Sequence, residues 1–156
     1  EGIHGLDLMG RKLSQRGGKG YRLFLAAARA SIAEAGTSKQ CAGMAAALND
    51  AVGILDQVSS DLLQQVAADV DLGLANATAY LDLFGRVVVG WIWLRQALVA
   101  ERALEAGAEG SEADFYQGKL HAARYFMDWE LASLASQARL LSTGNRLTYD
   151  MQDAWF

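Results

Sequence analysis

The chain contains no proline among its 156 residues. A chain of this length and average composition would contain about eight prolines. Proline breaks helix interiors, so its absence favours long helices, and alanine, the strongest helix former, is abundant throughout. The sequence therefore predicts an all-α protein, and we expect an antiparallel bundle of about five helices with a short C-terminal tail folded back onto it.

Two segments repeat apolar residues every seven positions. The first repeat contains Cys41, Leu48, Leu55 and Leu62, with Ala45, Val52 and Val66 on the adjoining rows. The second contains Leu120, Met127, Leu134 and Leu141, with Leu131 and Ala138 beside them. Polar residues lie between these positions, a pattern typical of helices with one buried stripe and one exposed face. We expect the first of these helices to falter near residues 69–73.

The other boundaries follow from glycine and capping residues. Ile3, Leu6, Met9 and Leu13 predict one face of a first helix, which “SQRGGKG” ends. A second helix is expected from Tyr21 to Ala35, with Thr37 or Ser38 capping the third. The fourth is expected from about Leu74 to Ala106, and Ser111 is predicted to cap the fifth, which “STGN” closes. We divide the chain into residues 1–13, 14–36 and a module of residues 37–156.

The densest apolar run lies in the fourth helix, in “FGRVVVGWIWLRQAL”. Its uninterrupted part, Val87 to Leu94, covers only roughly 12 Å as a helix, against a hydrocarbon core of about 30 Å. Arginines at both ends would be costly to bury in lipid. We expect no membrane span here, and we expect Gly85 and Gly90 to admit a neighbouring backbone.

Charge and cysteine content bear on the partners and the cellular location of the protein. The net charge is −4 and the pI is near 5.1, and no basic run is longer than Arg11-Lys12, so no nucleic-acid partner is expected. A single cysteine, Cys41, forms no internal disulfide, which favours a reducing, cytoplasmic location. The chain begins at Glu1 rather than Met, directly in a predicted helix, and we interpret it as a piece of a longer protein.

Residue chemistry offers few catalytic candidates. His4, His121 and Cys41 lie far apart in sequence and lack the spacing of a zinc site, so no metal site is predicted. Cys41 is better explained as a small core residue than as a nucleophile. The glycines of “RGGKG” lack the preceding strand and the Gly-Lys-Ser/Thr ending of a phosphate loop and predict a turn between helices.

A group of aromatic residues permits two interpretations. It consists of Trp91, Trp93, Phe115, Tyr116, Tyr125, Phe126 and Trp129. Such residues can line a ligand pocket, but at helical spacing they more often fill a core, and we expect a core. Tyr149 and Asp150 predict a turn, and the bulky Trp155 and Phe156 are expected to pack back onto the bundle.

Several stretches carry a family likeness. “GIHGLDLMGRKL” resembles the segment that follows the active-site loop of acyl-CoA dehydrogenases. “ANATAYLDLFGRVVVGWIWLRQALVA”, “FYQGKLHAARYFMDWELA” and the ending “MQDAWF” resemble the additional C-terminal helical domain of the methylthiopropanoyl-CoA dehydrogenase-like branch. The likeness covers nearly the whole chain.

This resemblance implies a parent flavoenzyme of fatty acid metabolism that holds FAD. It would oxidise an acyl-CoA to the α,β-unsaturated acyl-CoA, with a glutamate as general base and a separate electron acceptor. It would be a homo-oligomer. No FAD is expected in the piece itself, which we expect to be catalytically silent. The alternative is a stand-alone helical dimerisation or regulatory module without catalysis.

The resemblance also bears on the first two residues. Family members carry the base in a Tyr-Glu-Gly-Thr motif, and this chain begins with Glu1-Gly2. An alignment to the family without gaps places Glu1 just after that motif. Assigning Glu1 as the base would require a deletion before Leu6. We therefore expect the base upstream of Glu1 and no catalytic residue in this chain. Glu1 and Gly2 would belong to a loop that contacts the flavin in relatives.

Overall fold

A computed structural model describes residues 2–155, and this part of the chain contains helices and no strand. The α-helices are α1 (Gly2–Asp7), α2 (Gln15–Ala35), α3 (Ala42–Ala68), α4 (Val70–Leu74), α5 (Ala77–Glu105), α6 (Gly110–Tyr125) and α7 (Leu134–Ser142). π-Helical turns follow α1 and α6 at Leu8–Lys12 and Phe126–Leu131, and a 3₁₀ turn lies at Asp153–Trp155. Within the described residues, five helices have seven or more residues. The predicted all-α bundle of about five helices is confirmed.

The described chain forms two compact units that interleave along the sequence. Unit 1 contains residues 2–23, 54–85 and 134–155, and unit 2 contains residues 24–53 and 86–133. The predicted division into residues 1–13, 14–36 and 37–156 cuts the chain into consecutive segments, whereas each unit combines separate segments. That division stays a prediction.

Unit 1 encloses an apolar core with one polar contact inside it. Its buried side chains include Met9, Leu13, Leu55, Val58, Leu62, Leu83, Leu134 and Leu141. The hydroxyl of the fully buried Tyr80 lies 2.7 Å from Ser59 Oγ, and Ser59 donates to the carbonyl oxygen of Leu55 at 2.7 Å. Burial raises the pKa of Tyr80 to about 12, because the charged phenolate is disfavoured in the core.

Unit 2 has a core of its own. Its buried side chains include Leu25, Cys41, Met44, Leu48, Val52, Val87, Leu94, Leu120, Met127 and Leu131. A Cβ at Gly90 would lie 3.1 Å from Leu131 Cδ1 and 3.3 Å from Leu48 Cδ1, so Gly90 admits side chains rather than a backbone. A Cβ at Gly85 would meet no atom within 4 Å. The prediction of a close backbone at these two glycines is wrong.

The two seven-residue stripes are confirmed as buried faces. All eight positions of the repeats are at most 3% exposed. Helix α3 ends at Ala68, as expected, because Asp69 adopts an extended backbone and its side chain accepts a hydrogen bond from the N–H of Leu72 to begin α4. The short helix α4 packs closely against α3. An added Cβ at Gly73 would lie 2.6 Å from the Cα of Val66, so only glycine fits there.

The first predicted helix is only half right. Met9 and Leu13 are buried, whereas Ile3 is 82% exposed and Leu6 is 47% exposed. The π-helical turn at Leu8–Lys12 has more residues per turn than an α-helix, so residues before and after it do not share the face expected from an α-helical period.

Three predicted features of the later helices are also wrong. Helix α5 begins at Ala77 rather than near Leu74, because α4 occupies the preceding residues. Helix α6 has Glu109 in the N-cap position and no side-chain cap, so Ser111 lies inside the helix. The predicted fifth helix is divided, since the π-helical turn at Phe126–Leu131 separates α6 from α7.

The predicted break at “SQRGGKG” is confirmed as a kink near the start of α2. Arg16, Gly17 and Gly18 have φ values of 52°, 64° and 77°. This left-handed region is readily accessible to glycine and uncommon for other residues. The N–H of Gly18 donates to the carbonyl of Ser14 at 3.1 Å, and Arg22 donates to the carbonyl of Gly17.

The C-terminal tail folds back but does not bury its large side chains. Asn76 donates to the carbonyl of Asn145 at 3.0 Å and accepts from Thr148 at 3.4 Å, which attaches the tail to the residues before α5. Trp155 is nevertheless 62% exposed, so its predicted packing is wrong. Phe156 lies outside the described residues.

Helix α5 has 29 residues and is about 43 Å long. By length and composition alone it is able to cross a membrane, a test that buried core helices also pass. The length argument based on Val87 to Leu94 is therefore wrong for the complete helix, and the absence of a span stays a prediction. Tyr80, Leu83, Val87 and Leu94 on this helix are fully buried within the protein.

Candidate functional site

Of the two residues assigned to a flavin-contacting loop, the structure describes Gly2 alone, and their contact with a flavin stays a prediction. Glu1 lies outside the described residues. Gly2 is exposed, and a Cβ placed on it would meet no atom within 4 Å. A flavin cradle would require enclosing atoms and hydrogen-bond donors, so Gly2 and the exposed residues that follow it do not fit FAD by themselves.

The histidines and the cysteine are not brought together. His4 and His121 are exposed, and Cys41 is fully buried in unit 2. Burial is the main cause that raises the pKa of the Cys41 thiol, which keeps it protonated and unreactive. Residues 2–155 contain no group of three or more His, Cys, Asp or Glu side chains positioned to hold a metal ion.

A buried carboxylate that the sequence analysis missed lies beside Cys41. Glu101 is only 4% exposed, and it accepts hydrogen bonds from the hydroxyl of Ser38 and from the N–H of Gln40 at 2.9 Å. Ser38 Oγ in turn accepts from the N–H of Cys41 at 2.8 Å, so Ser38 caps the turn that leads into α3. Burial opposes ionisation of Glu101, but these hydrogen bonds outweigh it and lower its pKa. This cluster fixes the start of α3 and presents no free catalytic group.

Tyr149 and Asp150 form a turn, as predicted. Asp150 accepts from Arg146 at 3.0 Å, and the guanidinium of Arg146 lies 5.1 Å from the centre of the Tyr149 ring. These contacts join residues within four positions of one another, which is typical of a local turn.

The aromatic group is where the structure departs most from the expected core. Phe115 is 58% exposed, Tyr125 is 55% exposed and Trp129 is 68% exposed. Trp91, Trp93, Tyr116 and Phe126 are half-buried. The core interpretation is wrong for these three exposed residues. In the segment after Gly110, they lie on the side opposite the buried residues Leu120, Ala123 and Met127.

Part of this group lines an open groove in unit 2, which we call the α5–α6 groove. Its volume is about 500 Å³, and its lining comes from α5 and α6. The lining residues are Ile92, Arg95, Gln96, Val99, Ala100, Phe115, Tyr116 and Lys119. The groove therefore combines an apolar floor with two basic side chains.

Lys119 has an unusual environment in this groove. Its ammonium nitrogen lies 5.4 Å from the ring centres of both Trp93 and Phe115. The guanidinium of Arg95 lies 5.4 Å from the centre of Trp91, whose indole N–H donates to Ser31 Oγ at 2.9 Å. The aromatic rings hold both cations near the groove by cation–π contacts.

A second concavity in unit 2, of about 690 Å³, is lined by Trp93 and α6 residues. These are Gln117, Gly118, His121, Ala122, Arg124 and Tyr125, followed by Phe126. Arg124 donates to the side chain of Gln40 at 3.2 Å. The basic side chain here is thus already engaged, and the α5–α6 groove is the stronger candidate for a ligand.

The chain is similar to known proteins along most of its length. Residues 24–152 match the family described as acetyl-CoA dehydrogenase C-terminal like. The chain is 36% identical over 128 residues to the broad-specificity linear acyl-CoA dehydrogenase FadE5 of Mycobacterium tuberculosis, which covers 82% of this chain and 19% of that protein. It is 30% identical over 149 residues to the 3-methylmercaptopropionyl-CoA dehydrogenase of Ruegeria pomeroyi, covering 93% of this chain and 24% of that protein.

The chain thus spans about a fifth to a quarter of the length of the curated relatives it matches. Only that share of each relative aligns with this chain, whereas most of this chain is aligned. The resemblance found in the sequence is confirmed, and the chain belongs to the acetyl-CoA dehydrogenase C-terminal-like family of acyl-CoA dehydrogenase C-terminal domains.

Proposed function

We propose that the chain is the C-terminal helical module of a longer, FAD-dependent acyl-CoA dehydrogenase, and that the module itself makes structural contacts and no catalytic ones. The observation that carries this proposal is the uneven coverage of the alignments. Relatives that act on acyl-CoA match 82% and 93% of this chain but use only 19% and 24% of their own length.

The proposed reaction of the whole enzyme is the oxidation of an acyl-CoA to its α,β-unsaturated form, with electrons leaving to a separate acceptor. Gly2 does not form a flavin cradle, and the buried carboxylate Glu101 is engaged at the start of α3. These two observations support a location of FAD and of the general base outside the described residues. The proposed location of the enzyme is the cytoplasm.

The exposed apolar side chains support a role in contacts. Ile3, Val89, Ile92, Val99 and Leu147 are between 42% and 82% exposed. Apolar surface of this kind often marks an interface with another domain or subunit. We infer that the parent enzyme is a homo-oligomer in which part of this surface is covered.

The experiment compares two purified proteins, the 156-residue chain and the same chain extended by the residues encoded upstream of Glu1. We expect the extended protein to show the visible absorption of bound flavin and to reduce an electron-accepting dye when acyl-CoA is added. The 156-residue chain should be colourless and inactive. Flavin bound stoichiometrically to the 156-residue chain would contradict its proposed silence.

Two further outcomes sharpen the test. The substitutions His121→Ala and Cys41→Ser should leave turnover of the extended protein unchanged, since neither side chain lies in a catalytic arrangement. A start codon close to Glu1 would instead assign a stand-alone dimerisation module. In that case the 156-residue chain should sediment as a dimer at micromolar concentration.

A further inference from the structure

We propose that a basic segment of unit 1 docks against an acidic loop of unit 2 on a second copy of the chain. The basic segment carries the exposed cations Lys12, Arg16 and Lys19. The acidic loop carries the carboxylates of Glu105, Glu109, Glu112 and Asp114. This contact rests on the homo-oligomer proposed above, since it joins two of its subunits.

The charges of this chain are unevenly distributed along the sequence. Residues 8–33 contain six basic side chains and no acidic one, although the chain as a whole has a net charge of −4. Residues 103–118 contain four acidic side chains and no basic one. Surfaces of opposite charge steer two partners together and fix their register. The chain therefore carries two charged segments that complement each other.

The three cations of the basic segment are available to a partner. Lys12, Arg16 and Lys19 are all exposed. Among residues 2–155, no carboxylate lies within 4.0 Å of any of them. The nearby Asp7 is already engaged, because Arg11 donates to it at 2.6 Å. No ion pair inside the described chain thus neutralises the basic segment.

The acidic loop is equally open. All four carboxylates belong to exposed residues. Glu109 occupies the N-cap position of α6, yet its side chain makes no capping hydrogen bond. In the part of the chain that the structure describes, no cation lies within 4.0 Å of these four carboxylates.

Local helix stability does not explain the charge at two of these positions. The regular part of α2 begins at Lys19, after the left-handed residues 16–18, and α5 ends at Glu105. A helix carries partial positive charge at its N-terminus and partial negative charge at its C-terminus. A lysine at the start and a glutamate at the end are therefore unfavourable within one chain, and a partner of opposite charge would offset both.

A second copy fits these charges better than a lipid surface does. Each copy supplies one basic segment and one acidic loop, so an oligomer pairs both without a third component. An anionic membrane would also attract the basic segment, but it would leave the acidic loop unpaired and would repel a chain with a net charge of −4.

The test uses the extended protein described above and measures its assembly by sedimentation at decreasing concentration. Because salt screens exposed charges, the dissociation constant should rise about tenfold or more between about 20 mM and about 500 mM NaCl. Flavin bound per chain is measured in the same samples, since it tests the proposed function. A flavin-bearing protein whose assembly does not respond to salt would overturn the charged contact and leave the proposed function intact.

Two double variants reverse the charges of the contact. Lys12→Glu with Lys19→Glu should weaken assembly about tenfold or more. Glu105→Lys with Glu109→Lys should weaken it similarly, even though this variant brings the net charge of −4 to zero and so reduces repulsion between copies. An equimolar mixture of the two variants should assemble about as well as the unchanged protein, because each reversed segment then meets its opposite. A mixture that does not assemble contradicts the contact.

A control variant separates the contact from net charge. Lys39→Glu with Arg139→Glu changes the net charge by the same amount as the basic double variant, at exposed positions outside the basic segment. It should leave assembly nearly unchanged, and equal weakening would show that net charge alone matters. Circular dichroism checks that each variant is folded, and Lys12→Gln with Lys19→Gln replaces the basic double variant if it is not.

Vesicles that contain phosphatidylglycerol test the membrane as the other occupant. The unchanged protein should not bind them while it is assembled. Vesicle binding that depends on Lys12 and Lys19, together with assembly that ignores salt, would assign the basic segment to a membrane and overturn the contact between copies. A protein that stays assembled at both salt concentrations and in every variant would overturn it as well.

Discussion

Tyr80 and Ser59 show how unit 1 accommodates polar atoms at the scale of a single residue. The phenol is fully buried, and its hydroxyl reaches Ser59, whose own hydroxyl donates to the backbone of α3. Tyr21 is partly buried nearby and donates to Asp56 at 3.2 Å, and burial also raises the pKa of Tyr21. The phenol of Tyr80 is therefore protonated in the folded protein well above its usual pKa, which makes stability dependent on pH.

We expect stability to fall between about pH 10 and pH 12. The unfolded chain releases the Tyr80 proton near pH 10, whereas the folded chain keeps it until about pH 12. The contribution of the Tyr80 phenol to the free energy of unfolding is thus fully present below pH 10. It is lost as the pH rises through this window, at up to about 1.4 kcal/mol per pH unit. Urea unfolding at several pH values measures it. Tyr80→Phe should reduce the slope, and an unchanged slope in this variant would contradict the assignment.

The stripe on α3 gives a second test at this scale. Leu55 is fully buried in unit 1, so Leu55→Ala should lower the free energy of unfolding by about 2–5 kcal/mol. Leu63, on the same helix, is 38% exposed, and Leu63→Ala should cost far less. Denaturant unfolding of both variants measures the difference. Similar losses for the two would show that the stripe is misassigned.

At the scale of elements, the two sides of α6 explain why exposed aromatic residues were predicted to be buried. One side carries Leu120 and Ala123 into the core, and another side carries Phe115 and Tyr125, which remain exposed. Both sides are apolar. Periodicity states which residues share a face, but it does not state which of two apolar faces is covered.

The sequence predicted the long helices and the buried stripes because these depend on local pattern. Leu48, Leu55, Leu120 and Leu134 recur with the helical period, and the “RGGKG” break depends on residues in left-handed backbone. The burial of Glu101 depends on Ser38 and Gln40, which lie more than 60 positions away in sequence. The π-helical turns depend on small changes in helical period. No local signal reports them.

The corner between α3 and α4 offers a prediction with opposite signs at two glycines. A Cβ at Gly73 would lie 2.6 Å from backbone and side-chain atoms of Val66, so Gly73→Ala should destabilise the protein by about 1–3 kcal/mol. A Cβ at Gly53, inside α3, would meet no atom within 4 Å. Gly53→Ala should therefore stabilise it by about 1 kcal/mol. Thermal unfolding of the two variants measures both effects, and a stabilised Gly73→Ala would contradict the close packing.

At the scale of the whole molecule, a large share of apolar side chains remains at the surface. The chain is 52% hydrophobic, and its exposed apolar residues occur in both units, from Ile3 to Leu147. Since such surface favours association, the proposed parent enzyme is expected to cover part of it. It then becomes possible to measure how cooperatively the chain unfolds on its own.

Cys41 provides a probe for that property. It is the only cysteine in the sequence and is fully buried, and burial raises its pKa, so a thiol reagent reacts only when the structure opens. We expect the native protein to react about a thousandfold more slowly than the denatured chain. Ser111→Cys in a Cys41→Ser background places the thiol at an exposed site and should react rapidly. Rapid native labelling of Cys41 would show that unit 2 opens readily.

The contact of Gly5 with Ala77 restricts how this sequence can drift over evolutionary time. A Cβ at Gly5 would lie 2.7 Å from the carbonyl oxygen of Ala77, so the atoms nearest to this position belong to the main chain. No exchange of side chains can compensate for a larger residue there, because there is no side chain in the contact to shorten. Descendants of this chain are therefore expected to keep the position unchanged or to lose the docking of α1 altogether.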